Sequence, residues 1–346
     1  MNPKSPRERQ KPSRQTWALV AAIAGVAVIV ALIGYFGAGA VWHSLRAIGT
    51  RGFLAICAIH LALIAVMGLA WQALLPGTPA IKTIWARLIR DSGAEALPLS
   101  QVGGYVMGAR ALSLFGVPAA LSTASTIVDV TLEFVAQLAY TALGLALLVR
   151  LQPETRAAAP VLIGLGVAAL AAGLFIVVQR RGIALFDRIA RVLGRGWAER
   201  SAAGAAALHA VLEAIYRRRD GLWTSFALHL FCWISSAAEV WIALRLAGEP
   251  LSFPTVLVIE SLLYAVRTVA FLVPQSVGVQ EGAYVLIGAG FGLTPDMALA
   301  LSLLKRGRDY TIGLPALAAW QMIESRRLLR RRATAGEALP PGAPGG

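Results

Sequence analysis

Asp129 and Glu133 stand four residues apart in an otherwise apolar run, "LSTASTIVDVTLEFVAQLAY". At that spacing they share one face of a helix. Two carboxylates so placed can bind a cation, carry protons or pair with an arginine. Arg110, just before that run, is the candidate partner. Toward the C-terminus, "ALSLLKRGRDYTIGLPALAAW" places Lys305, Arg306, Arg308 and Asp309 inside a second apolar segment. Lys305 or Arg306 can pair with Asp309 along one helix, which leaves positive charge over. An unpaired, partly desolvated arginine is a good binder of phosphate or carboxylate. Glu260 and Arg267 lie two turns apart, and Glu281 follows the "PQSVGVQ" stretch that holds Gln275.

Charge of this kind is costly at the centre of a bilayer, so it faces a bundle interior or a wet cavity. One reading makes these residues mutually paired structural bridges. Another puts Lys305–Asp309 in an aqueous loop between short helices. Fourteen uncharged residues separate Asp309 from Glu324. At about 1.5 Å per residue they fall short of the roughly 30 Å hydrocarbon core. Either the cluster lies at membrane depth or the last segment is broken, and a polar cavity satisfies both. On this reading Arg110, Gln275, Glu281, Lys305, Arg306 and Arg308 line a substrate path. Asp129, Glu133, Glu260, Arg267 and Asp309 orient those cations or couple to protons.

The elements that must position these groups are membrane helices. Hydrophobic residues make up 57% of the 346, and charged residues only 14%, against about 25% in soluble domains. Mean hydropathy is +0.67. The net charge of +14 then marks cytoplasmic loops and contact with anionic lipid rather than nucleic acid. Spans of about 20 apolar residues are expected at about 17–40, 53–75, 119–149, 158–178, 222–246 and 296–322. The run from Trp17 is too long for the apolar region of a signal peptide, so it reads as an uncleaved first helix. Residues 1–15 and 326–346 read as disordered cytoplasmic tails around a single transmembrane domain, 16–325. Loop 179–220 is rich in arginine, so it reads as cytoplasmic, with an amphipathic helix around 183–193. The loop with Lys82, Arg87 and Arg90 is placed on the same side.

Two further stretches, about 81–116 and 254–292, are apolar but broken. Their centres, "LPLSQVGGYVMGARALSLFG" and "VPQSVGVQEGAYVLIGAGFG", match at one constant offset in Pro98 and Pro274, Ser100 and Ser276, Phe115 and Phe291, and Gly116 and Gly292. Pro98, Gly103, Gly104, Pro274, Gly278 and Gly282 are the expected helix-breaking positions. Three spans separate the copies, and an odd number inverts the second. Inverted, Pro/Gly-interrupted repeats point to a transport site near the midplane. The predicted fold is all-α: a polytopic bundle of about six spanning helices plus two re-entrant stretches. Two kinked spanning helices, giving eight spans, is the alternative.

Cys57 with His60, and His229 with Cys232, stand at spacings that two metal ligands can use. No carboxylate or further histidine joins them, so no metal and no cofactor is expected. No hydrolase, nucleotide-binding or zinc-protease motif occurs, and no soluble stretch is long enough for a catalytic domain.

Taken together, "FLVPQSVGVQEGAYVLIGAGFGL" and "ALALSLLKRGRDYTIGLPALAAWQ" resemble the C-terminal signature of the flippase-like family, also called the lysylphosphatidylglycerol synthase transmembrane-region family. "LPLSQVGGYVMGARAL" and "STASTIVDVTLEFVAQL" are similar to its N-terminal half, so the likeness covers about 15–325. The wording is similar to that of the hopanoid-biosynthesis-associated members. The resemblance implies a multi-pass protein of the bacterial inner membrane, both termini cytoplasmic, that moves a lipid between leaflets. A hopanoid or anionic phospholipid is the implied partner, with hopanoid-biosynthesis enzymes as possible associates. The aminoacyl-transferase domain of larger members is not expected here, so the chain reads as a non-enzyme. Some relatives carry Arg directly after the aspartate of the long helix, whereas Val130 follows Asp129. Two other expectations compete: a non-transporting scaffold for lipid-modifying enzymes, and a membrane-embedded enzyme using Asp129 and Glu133 as acid and base.

Overall fold

A computed structural model of the chain describes residues 30–31, 34–35, 38–96, 101–153, 195–270 and 273–337, with most of 159–177. The tail 1–15, Pro98, the segment 183–193 and the last nine residues fall outside these. Of the expected first span, residues 30–31, 34–35 and 38–40 are described, all helical. The architecture is all-helical. In chain order, α1 is Ala38–Ala73, α2 Ala80–Ala96, α3 Gln101–Leu114, α4 Ala119–Leu151 and α5 Arg195–Arg217. Then follow α6 Arg219–Leu246, α7 Phe253–Val269, a 3-10 turn at Pro274–Ser276, α8 Val279–Ala289 and α9 Pro295–Glu337. Further helical turns lie within Leu162–Val177.

Among the described residues, three helices are long and apolar enough to cross a membrane: Val41–Ala73, Ala119–Leu151 and Arg219–Leu246. A helix satisfies its own backbone in hydrocarbon, which is why these apolar runs are helical. Leu54, Leu61, Leu143 and Phe231 face outward on them, as lipid contact requires. Gly49, at φ 68° and ψ 173°, breaks α1 between Arg46 and Arg51.

The two broken stretches form short helices. The first is α2 and α3, of 17 and 14 residues. The second is α7 and α8, of 17 and 11 residues. Each is shorter than the about 20 residues that span a hydrocarbon core. Each run then reaches a glycine at positive φ, Gly116 at 87° and Gly292 at 81°, and enters a long helix. The constant offset that aligns Pro98 with Pro274 also aligns the first residues of those helices, Ala119 of α4 and Pro295 of α9.

Only part of the expected glycine role holds. Gly278 is a true break: at φ 81° it precedes α8. Gly103, Gly104 and Gly282 lie inside helices. Gly104 serves close packing instead, since a Cβ there would stand 2.6 Å from the Arg90 carbonyl oxygen. That contact lets α3 lie directly against α2.

Two expectations about loops are corrected. Residues 195–217, read as the second half of a loop, form α5. Its Leu208, Val211, Leu212 and Ile215 pack with Trp71, Leu75, Ile89 and Val128 in one apolar core. Residues 326–337, read as tail, continue α9. A second core joins α1, α6, α7, α8 and α9 through Ile56, Val240, Leu244, Ile259, Tyr284 and Leu301.

Candidate functional site

The charges that composition could not explain converge on one cavity of about 360 Å³. Its wall takes residues from α1, α2, α3, α4, α6, α7, the 3-10 turn and α9. Charged groups on it are Arg87, Arg90, Asp91, Glu95 and Glu133, then Glu239, Arg267, Lys305, Arg308 and Asp309. Tyr105, Trp233 and Tyr264 supply aromatic surface.

One network joins α2, α4 and α6. Arg87 grips Glu133 with both terminal nitrogens, at 3.0 and 2.6 Å, and donates from Nε to Asp91 at 2.8 Å. Arg90 donates to Asp129 at 2.5 Å and also to Glu133. The Arg90 guanidinium lies over the Tyr105 ring, 4.8 Å from its centroid. On the other side of Asp129, His229 Nε2 lies 3.0 Å from Oδ1. Asp129 and His229 are fully buried and sit behind the cavity wall.

These arginines are the largest correction to the sequence reading. Positioned by loop charge, Arg87 and Arg90 belong to a cytoplasmic loop. They are in fact buried in α2, 3% and 2% exposed, and they are the partners of Asp129 and Glu133. Arg110, the expected partner, is half-exposed and donates to Glu324 at 2.7 Å.

The second network centres on α9. Lys305 donates to Glu260 of α7 at 2.8 Å and to Tyr284 of α8 at 3.2 Å, and Tyr284 donates to Glu260. The ammonium also lies 4.9 Å from the Tyr264 ring centre. Arg308 binds Glu239 of α6 and Asp309 beside it, the latter at 2.7 Å. His60 of α1 reaches Glu239 from the opposite side, at 3.3 Å. The expectation of leftover positive charge therefore fails: Lys305, Arg306 and Arg308 each have a carboxylate.

Glu281 braces the helix break. It accepts from the Gly278 amide at 2.8 Å, from Ser302 at 2.8 Å and from Arg306 at 2.7 Å. As the third residue of α8 it caps free amides at that helix's start, where negative charge is stabilising. The turn it anchors holds Gln275 and Ser276 at φ 53° and 47°, a left-handed conformation unusual for residues other than glycine. Such strain persists only where surrounding contacts over-determine it. Here Tyr310 donates to the Gln275 side chain at 2.9 Å, and Arg306 to its backbone carbonyl at 3.4 Å.

Of the residues singled out in the sequence, Gln275, Lys305, Arg308, Glu133, Arg267 and Asp309 line the cavity. Asp129, Glu260, Glu281 and Arg306 stand behind it as partners, and Arg110 lies elsewhere. Glu260 and Arg267 do not pair with each other. Arg267 instead donates to both oxygens of Glu95 on α2, each at 2.9 Å, and so ties the two broken stretches together. Each histidine of the Cys57–His60 and His229–Cys232 pairs meets a carboxylate that the sequence did not place there, Glu239 and Asp129, and among the described residues no group of three or more His, Cys, Asp or Glu side chains is placed to hold a metal. Asp129 touches Arg90 and His229 behind the wall, whereas Glu133 lies on it. Sequence reasoning missed Asp91 and Glu95, assigned Arg87 and Arg90 to a loop, and weighed His60 and His229 only as partners of Cys57 and Cys232. A local signal was Arg87 and Asp91 at i,i+4, in a helix that also carries Lys82, Arg90 and Glu95.

A family model described as the lysylphosphatidylglycerol synthase transmembrane region matches residues 21–316. No curated protein and no solved structure matches the chain.

Proposed function

Because the chain belongs to the lysylphosphatidylglycerol synthase transmembrane-region family, we propose that it moves a polar-headed lipid between the leaflets of a bacterial cytoplasmic membrane. The substrate proposed is a hopanoid or another lipid with a polar head. The observation that carries this reading is the cavity: about 360 Å³ of ion-paired wall inside an apolar bundle. That volume lies in the range of small-molecule sites. A headgroup needs such a polar path through a medium that otherwise rejects it.

Cavity-facing Gln275, Lys305 and Arg308, with Glu133, Arg267 and Asp309, contact the headgroup in this proposal. Asp129, Glu260, Glu281 and Arg306 hold those groups in place. The two runs α2–α3–α4 and α7–α8–α9 act as inverted copies, each a re-entrant pair followed by a spanning helix. Six helices cross in all, with both termini cytoplasmic. Support comes from the matched starts of α4 and α9 and from short helices flanking each break. Inverted repeats with broken helices commonly place the substrate at their interface.

The test is the leaflet distribution of labelled lipid in vesicles carrying the purified chain. Several headgroups are compared, with and without a pH gradient. Transfer no faster than in empty vesicles, for every headgroup, overturns the proposal.

A further inference from the structure

With both histidines neutral, each network is one positive charge short. In the first, Arg87 and Arg90 face three carboxylates, Asp91, Asp129 and Glu133. In the second, Lys305, Arg306 and Arg308 face four: Glu239, Glu260, Glu281 and Asp309. The Glu95–Arg267 bridge between them is neutral. His229 does not close the first gap. Its Nε2–H donates to Asp129, and Nδ1 is buried with no hydrogen-bond partner among the described residues, so a second proton there has nothing to bond. We infer that the cavity takes a ligand carrying a protonated primary amine, with Asp91 and Asp309 as its carboxylate contacts.

The hydrogen bonds locate the missing charge. On the cavity wall, Glu95, Glu133 and Glu239 have both carboxylate oxygens bonded. Asp91 accepts from Arg87 at Oδ2, while Oδ1 stands 4.0 Å from Arg90 Nε, beyond hydrogen-bond reach. Asp309 takes both of its Arg308 bonds at Oδ1, and among the described residues nothing donates to its Oδ2. Each network thus keeps one open acceptor, on an aspartate that lines the cavity. Arg90 marks the same corner as Asp91 from the donor side. It is on the wall and 2% exposed, and its Nε has no partner among the described residues. Such an orphan shows that the protein alone does not complete the polar contacts there.

The donors are largely spent. Arg87 and Arg308 commit all three guanidinium nitrogens, and Lys305 bonds Glu260 and Tyr284. A phosphate would have to break pairs already made at these groups. Arg267 keeps Nε and Nη1 outside any hydrogen bond among the described residues, enough for one ester or phosphate oxygen. An ammonium N–H instead finds acceptors open and relieves the deficit of buried positive charge. The aromatic surface sets the kind of amine. Arg90 covers Tyr105, and Lys305 and Arg267 lie over Tyr264. Trp233 stacks on Tyr140 and meets Tyr264 edge-on. A quaternary ammonium has no N–H to give and relies on free aromatic faces. A primary amine, once protonated, has three N–H donors for the two open oxygens. That the amine belongs to a lipid headgroup rests on the function proposed above; the charge of the site does not.

The experiment uses the full chain in detergent micelles, with bound lipid counted by native mass spectrometry. Three probes share the same acyl chains and phosphate: phosphatidylethanolamine, its N-acetyl form and phosphatidylcholine. The parent is expected to retain phosphatidylethanolamine about tenfold more strongly than either, the low end for one hydrogen bond to a charged group. Asp91→Asn and Asp309→Asn each leave an oxygen for the neighbouring arginine. Each is expected to cut that preference to about threefold or less. Equal retention of the three probes by the parent, or preference for the anionic N-acetyl form, overturns the proposal whether or not the variants fold. So does a preference that survives in both variants. Glycerophosphoethanolamine, the same headgroup without chains, separates the two sources of the amine. Displacement of the lipid at matched concentration supports a soluble amine as the occupant, and retention of the lipid supports a headgroup. Vesicle assays separate the two readings. Amine preference without lipid transfer overturns translocation alone, and transfer that ignores the headgroup nitrogen overturns the amine site alone.

Discussion

The two networks do one job with opposite polarity. In the first, the long helix α4 supplies the carboxylates Asp129 and Glu133, and the broken stretch supplies Arg87 and Arg90. In the second, the long helix α9 supplies Lys305 and the broken stretch supplies Glu260. The interval from Pro98 to Pro274 also separates Asp129 from Lys305, and Asp91 from Arg267. Residues at that one interval therefore carry opposite charge. What the two networks share is a charge-assisted cross-link from broken stretch to long helix, with the sign reversed between them. The halves also differ in redundancy. Arg90 holds two carboxylates and Glu133 two arginines, whereas Lys305 has one carboxylate and two tyrosine rings.

The sharpest break of this comparison is Arg90→Ala. It leaves Asp129 and part of Glu133 buried without charge compensation, and removing one partner of a buried pair costs about 3–5 kcal/mol. Unfolding in mixed micelles measures it, and a loss under 1 kcal/mol would show that water replaces the guanidinium. Glu260→Gln in the other half is expected to cost less, about 2–3 kcal/mol. Tyr264 and Tyr284 still shelter the ammonium there. Free polarity is tested by the exchange Lys305→Glu with Glu260→Lys. The double variant is expected to recover about 0.5–3 kcal/mol relative to the sum of the singles. No recovery would mean that Tyr284 and Tyr264 fix the sign. Glu95→Gln, at the partly exposed bridge between halves, is expected to change stability by about 1 kcal/mol or less. Arg110→Ala, half-exposed and outside the cavity, should fall within about 0.5 kcal/mol of the parent. A larger effect would show that its pair with Glu324 is structural.

The helices were legible because apolar runs in lipid admit few other forms. The break before α8 was legible because Pro274 and Gly278 flank it. The members of the second network on α7, α8 and α9 stood out as charge in apolar sequence. Their pairing with Glu239 did not, because Arg308 and His60 meet it across long separations that only packing closes. Arg87 and Arg90 misled because loop charge is the rule for sidedness. A short helix that carries arginines at i and i+3 looks like a loop until its acidic partners are seen. α5 was hidden the same way: its terminal arginines read as loop, while Leu208, Leu212 and Ile215 carry the helical spacing that buries it.

The helix α2 carries Lys82, Arg87, Arg90, Asp91 and Glu95 within 17 residues. At the centre of a bilayer each such charge would cost about 2.5–3.5 kcal/mol on insertion scales, so α2 is poorly suited to lipid without its partners. Its relief comes from Asp129 and Glu133, which the ribosome delivers about 40 residues later, at roughly 5–20 residues per second. The buried arginines thus make the settled position of α2 depend on α4, whose carboxylates pair with them.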